Sequence, residues 1–75
     1  MPTLDQLPIG QSAKIVSVRL PESEARRLSE MGLTAGASVK VIRLSPFGDP
    51  MEITVRGYHL SLHKAEASGI EVASS

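Results

Sequence analysis

The run Met51-Glu52-Ile53-Thr54-Val55-Arg56, then Gly57, then Tyr58-His59-Leu60-Ser61-Leu62-His63 alternates apolar and polar side chains. Successive side chains of a strand point to opposite faces, so Met51, Ile53 and Val55, then Leu60 and Leu62, face a core. Glu52, Thr54 and Arg56 face water. Upstream, Ser38 to Leu44 carries Val39, Val41 and Ile42, with apolar residues on both faces. Further upstream, Ala13 to Arg19 carries Ile15, Val16 and Val18, whose alternation is imperfect. A bulge near Ser17 reconciles Ile15 and Val18 on one face. Downstream, Lys64 to Gly69 reads as a short helical turn and Ile70 to Val72 as a last short strand, before a fraying Ala73-Ser74-Ser75 tail.

One segment breaks the strand rhythm. Pro21 to Met31 places Ala25, Leu28 and Met31 three residues apart, a narrow apolar helical stripe. Pro21 suits a helix's first turn, Glu22 and Glu24 favour its positive end, and Gly32 can take the left-handed conformation that stops it. Near the start, Thr3 to Leu7 reads as one helical turn, with Gln6 at capping-box spacing from Thr3 and with Leu4 and Leu7 inward. The order is strand, helix, four strands. Five short strands must hide their edges, so the expected fold is mainly β: a strongly bent five-stranded β-barrel, with one short helix over an opening and a short helical turn before the last strand.

The chain has 75 residues, enough for one domain over residues 1–75 and too few for a deep substrate cleft. It has no cysteine, which excludes disulfides, thiolate metal sites and a cysteine nucleophile. Eight Lys and Arg balance eight Asp and Glu, and Phe47 and Tyr58 are the only aromatics. That argues against nucleic acid as a partner, since phosphate neutralisation and base stacking need more of both. No apolar run reaches the roughly 20 residues of a membrane span, and Met1 to Gly10 lacks the layout of a signal peptide. The expectation is a soluble, cytoplasmic module with no membrane insertion.

Few residues offer chemistry. His59 and His63 have the spacing that shares a metal on a helix, but they lie in an alternating run. On a strand they sit about 13 Å apart, so a metal held by both within one chain is disfavoured. No acid lies in an apolar run that would tune it for acid–base work, no serine has an evident base partner, and no glycine-rich phosphate loop exists. No catalytic residue is assigned. Arg26 and Arg27, with Arg19, form either a small basic patch or a solvated face interleaved with Glu22, Glu24 and Glu30. Ser45-Pro46-Phe47-Gly48-Asp49-Pro50 is more informative. Two prolines stiffen this loop, Gly48 hinges it, Asp49 can brace nearby amides, and Phe47 sits at its tip. Phe47 is either a lid folded onto the barrel or an apolar anchor for a partner.

Several stretches carry a resemblance: Arg26-Arg27-Leu28-Ser29-Glu30-Met31-Gly32-Leu33-Thr34-Ala35-Gly36, Val39-Lys40-Val41, Pro46-Phe47-Gly48-Asp49-Pro50-Met51, Gly57-Tyr58 and Lys64-Ala65-Glu66-Ala67 before Ile70. In this order, over nearly the whole chain, they resemble the ferrous iron transport protein A (FeoA) family. The resemblance implies an SH3-like β-barrel without catalysis of its own. It also implies a cytoplasmic accessory to the membrane ferrous-iron transporter FeoB, whose cytoplasmic part is a GTPase domain. The residues themselves place partner binding at Phe47 and Asp49 on the loop, with Met31 and Leu33 at the helix end as either adjoining apolar surface or core, and with Arg26 and Arg27 on the helix face. The family is also linked to transition-metal binding. No cofactor is expected here, and the alternative is a metal-responsive module holding ferrous iron or another divalent ion through His59 or His63, between subunits.

Overall fold

A computed structural model of the chain describes residues 2–47 and 49–74. The strands are β1 (Ser12–Val18), β2 (Ser38–Leu44), β3 (Met51–Val55), β4 (Tyr58–Leu62) and β5 (Ile70–Ser74). Helix α1 (Glu22–Glu30) follows β1, and helix α2 (Lys64–Ala67) joins β4 to β5. A 3-10 turn at Leu4–Gln6 precedes them, with the Thr3 amide donating to Gln6 Oε1 at 3.1 Å. The strands form one antiparallel sheet in the order β4-β3-β2-β1-β5. Strand limits agree with the sequence to within one or two residues. The expected frayed tail is different: Ala73 and Ser74 pair with Lys14 and Ala13 in β5, while Ser75 lies outside the described residues.

The bulge is where the alternation failed. Ile15 pairs with Val72 and Ser17 with Glu71, leaving Val16 as the extra residue, 39% exposed. Ile15 is buried and Val18 half-buried, so both turn inward. Beyond the strands, Arg56 and Gly57 both have positive φ, 49° and 83°, the geometry of a two-residue turn that matches strand twist.

The core gathers Met51, Ile53, Val55 and Leu62 from β3 and β4, Val39 and Val41 from β2, and Ile15, Ile70 and Val72 from β1 and β5. Leu4, Leu28 and Ala67 come from the helical segments and are fully buried. Some residues expected inward, Leu7, Ala25, Met31 and Leu60, are only half-buried; for Leu60 the reason is that β4 is the terminal strand of the sheet.

The expected closed barrel is a bent sheet whose ladder does not close: among the described residues no strand pairing joins β4 to β5. Helices do the covering instead. Glu66 of α2 holds Arg27 of α1, and buried Leu28 and Ala67 lie beneath them. The outer edge of β5 is occupied by the N-terminal segment, through a Thr3–Glu71 bridge and a Val72 amide bond to the Pro2 carbonyl at 3.0 Å. An edge so covered cannot recruit a stray strand.

Candidate functional site

The β2–β3 loop projects from one end of the sheet. Phe47 is 96% exposed, so its ring is no lid on the core. Gly48, the expected hinge, lies outside the described residues. Asp49 braces the loop, but across the molecule rather than locally. Its Oδ1 accepts the Lys64 amide hydrogen bond at 2.9 Å and lies 3.4 Å from His63 Nδ1. Lys64 opens α2, and the first amides of a helix have no partner within it, so the Asp49 carboxylate supplies one. His63 is the residue just before α2 rather than part of β4, and its own amide donates to Glu66 Oε1 at 3.1 Å. A chain of contacts therefore runs from loop to α2 to α1: Asp49, His63, Glu66, Arg27.

Met31 and Leu33 do not adjoin Phe47. β3 runs from the loop end, where Leu44 pairs with Met51, to the turn end, where Val55 pairs with Tyr58. Met31 lines a cleft at the turn end with Tyr58, His59 and Leu60, and four residues of strand, about 13 Å, separate those ends. Leu33 is 1% exposed and leaves the partner surface altogether. The reason is the way α1 stops. Gly32 has φ of +99°, its amide reaches the Ser29 carbonyl, and the Leu33 amide reaches the Leu28 carbonyl at 3.0 Å. This termination packs the residue after glycine against the one five before it, so Leu33 and Leu28 are buried together. Arg56 adds to the stop, donating from Nε to the Gly32 carbonyl and from Nη2 to Thr34 Oγ1, each at 3.2 Å.

The arginines form no free basic patch. Arg26 pairs with Glu22 at 3.0 Å, Arg27 with Glu66, and Arg19 with Glu71 at 2.8 Å. Ser17 Oγ also donates to Glu71 Oε1 at 2.6 Å, and this bond, ahead of the Arg19 charge, holds the Glu71 carboxyl below its ordinary range. Arg26 also borders an open groove of about 440 Å³, floored by Val18, Ala25, Leu33 and Ala35.

Sequence reasoning missed His63 as a neighbour of Asp49 and Tyr58 as an exposed ring beside Met31. A capping signal existed for the first: His63 stands three residues before Glu66, the spacing at which a side chain reaches back to cap a helix. Among the described residues, no group of three or more His, Asp or Glu side chains could hold a metal ion within one chain. None of the helices is long and apolar enough to cross a membrane.

A bent antiparallel sheet, a loop bearing an exposed aromatic ring and two grooves beside α1 are the surface features of a small SH3-like domain. The FeoA domain model matches residues 3–74, and the chain belongs to the FeoA family. It is 33% identical over 69 residues to an Fe(2+) transport protein A/Fe(2+) transporter FeoB fusion protein of Porphyromonas gingivalis, covering 92% of this chain and 8% of the fusion. Its fold matches the FeoA protein of Chlorobium tepidum with a TM-score of 0.94 at 38% identity, over 97% of this chain and 70% of that one. It also matches the zinc complex of the FeoA of Stenotrophomonas maltophilia, a prokaryotic SH3 domain protein. There the TM-score is 0.86 at 31% identity, over 97% of this chain and 91% of that one. The fold is SH3-like, and the family is that of ferrous iron transport.

Proposed function

We propose that this chain is a small cytoplasmic accessory of bacterial ferrous iron uptake. It acts without catalysis of its own, as an interaction module that docks on the cytoplasmic GTPase region of FeoB. The observation that carries this reading is the fusion relative, in which an FeoA domain and the transporter share one polypeptide. Covalent linkage raises the effective concentration of one partner for the other, an arrangement that serves domains which bind each other. Phe47 is the anchor, since a 96% exposed aromatic on a braced loop loses little conformational freedom on docking. Asp49 holds the loop to α2, and Arg26 and Arg27 set charge at the helix surface. The test is titration of the purified chain with the cytoplasmic region of its transporter. Phe47→Ala should weaken association by about 1–2 kcal/mol, a loss of roughly 5- to 30-fold, and leave the melting temperature unchanged. Equal affinity in the variant removes Phe47 from the interface, and no binding by the parent removes the reading.

A second reading draws on the zinc complex of the Stenotrophomonas relative. Here His59 or His63 would hold a divalent ion between two subunits, with Asp49 beside His63 as an oxygen ligand. Ferrous, zinc and cobalt ions, each added to the purified chain, would double its mass in solution on this reading and leave it monomeric otherwise.

A further inference from the structure

The outer face of the sheet carries a cluster that the docking loop does not use. The register sets Ser12 opposite Lys40, Lys40 opposite Thr54, and Lys14 opposite Ser38. Directly opposed side chains have their Cβ atoms about 5 Å apart, so these five residues make one patch. Strand alternation turns them from the core: Ser12, Lys14, Ser38 and Lys40 are exposed, whereas Ala13 and Val39 between them are buried. A shallow cleft of about 180 Å³ lies here, lined by Ser12, Ser38, Lys40, Thr54 and Arg56 together with Val39 and Val55.

Its chemistry is one-sided. Among the described residues, the side-chain hydroxyls with a hydrogen bond to protein are those of Thr3, Ser17, Ser29, Thr34 and Ser68, and those of Ser12, Ser38 and Thr54 have none. Among the described residues, the carboxylates in ion pairs are matched to Arg19, Arg26, Arg27, Arg43 and His63, never to Lys14 or Lys40. Glu52, two residues along β3 from Thr54, is already taken by Arg43 at 3.2 Å. Arg56 lines the cleft as well, but its Nε and Nη2 are held by the Gly32 carbonyl and Thr34 Oγ1 at the end of α1. In a chain of net charge +0, the patch therefore brings two lysines and three hydroxyls together, while the sheet's outward acids among the described residues, Glu52 and Glu71, are paired with Arg43 and Arg19.

We propose that this cleft binds a phosphate-class oxyanion. Lys40 supplies the central charge, the hydroxyls of Ser12, Ser38 and Thr54 donate hydrogen bonds to the anion's oxygens, and Lys14 flanks it. Lysine suits this work as a compact point charge. The cleft is smaller than the roughly 300–1,000 Å³ of pockets that enclose a drug-sized ligand, so it takes one tetrahedral group. That group can be free phosphate, the phosphoryl end of a nucleotide, or a lipid headgroup. The site is independent of the docking loop, which lies at one end of the sheet.

The test follows backbone amide resonances of the isotope-labelled chain during titration with inorganic phosphate at fixed ionic strength, with chloride as control. Saturable shifts at Ser12, Ser38, Lys40 and Thr54 are expected, with affinity at least fivefold weaker in Lys40→Gln and the melting temperature unchanged. GDP and phosphatidylcholine vesicles containing phosphatidylglycerol then separate the sources. Tighter binding of GDP points to a nucleotide, and vesicle binding lost in Lys40→Gln points to a headgroup. Shifts that fail to saturate, that chloride reproduces, or that persist at equal affinity in Lys40→Gln overturn the proposal.

Discussion

Ile53 and Leu60 face each other across β3 and β4, yet truncating them should have unequal effects. Ile53 is 0% exposed, at the centre of a sheet where Val41 flanks it on one side and Leu60 on the other. Ile53→Ala forfeits the transfer of three carbons from water and leaves a cavity walled by strands that cannot collapse inward. Such changes cost about 2–5 kcal/mol. Leu60 is half-buried on the terminal strand, so part of its side chain is already in water, and water can enter where it is cut away. Leu60→Ala should cost about 1–2 kcal/mol. At about 0.05–0.15 kcal/mol per residue, a chain of 75 residues has about 4–11 kcal/mol in total, so the first variant uses much of it. Urea unfolding followed by far-ultraviolet circular dichroism measures both. For a small domain with a slope near 1 kcal/mol/M, the Ile53→Ala midpoint should fall by about 2 M or more at unchanged slope. Equal losses in the two variants would refute the reading of β4 as a half-covered edge. An Ile53→Ala chain as stable as the parent would refute the inward face of β3.

The fold was legible wherever a pattern was local. Alternation through Met51–Val55 and Tyr58–Leu62 reports the face of each strand directly, and the flaw in it near Ser17 is the bulge itself. Closure of the sheet was not legible, because it depends on what fills the gap between β4 and β5. Short strands ask for cover but do not say that α1 and α2 provide it. Leu33 fails for a sharper reason. Its place after Gly32 already implied the packing against Leu28, but that follows from the hydrogen-bond pattern of the helix end rather than from hydrophobic period. The site split in the same way. An aromatic between two prolines left open whether Phe47 is a lid or an exposed ring, and its exposure decides only against the lid, whereas the Asp49 contact spans 15 residues of sequence and depends on where α2 begins. The separation of Met31 from Phe47 is a property of the sheet, since the two ends of β3 are adjacent to different loops.

Two further outcomes follow from the polar contacts. The Ser17 hydroxyl and the Arg19 charge lower the Glu71 carboxyl from its ordinary value of 4.5, so their stabilisation is present above that pH and is lost as pH falls through the lowered value. In melting curves from pH 7 down to pH 3, the gap between parent and Ser17→Ala should be largest above about pH 5 and narrow below 4.5; a gap constant with pH would detach Ser17 from Glu71. Asp49 gives the other. Asp49→Ala removes the acceptor of the Lys64 amide, leaving a first-turn amide of α2 without its protein partner. Loss of a capping acceptor costs about 0.5–2 kcal/mol, and solvent competes at this exposed site, so the lower end applies. Asp49→Asn keeps an acceptor oxygen but loses the charge facing His63, and should retain most of the stability. The discriminating measurement is hydrogen exchange at the Lys64 amide, which should quicken in Asp49→Ala and change little in Asp49→Asn. If the loop orders Phe47 for docking, Asp49→Ala should also weaken association with the transporter's cytoplasmic region while Phe47 itself is intact. Faster exchange with unchanged association would make the clasp a stabiliser of α2 alone. Unchanged exchange would show that Asp49 does not hold the loop to the helix at all.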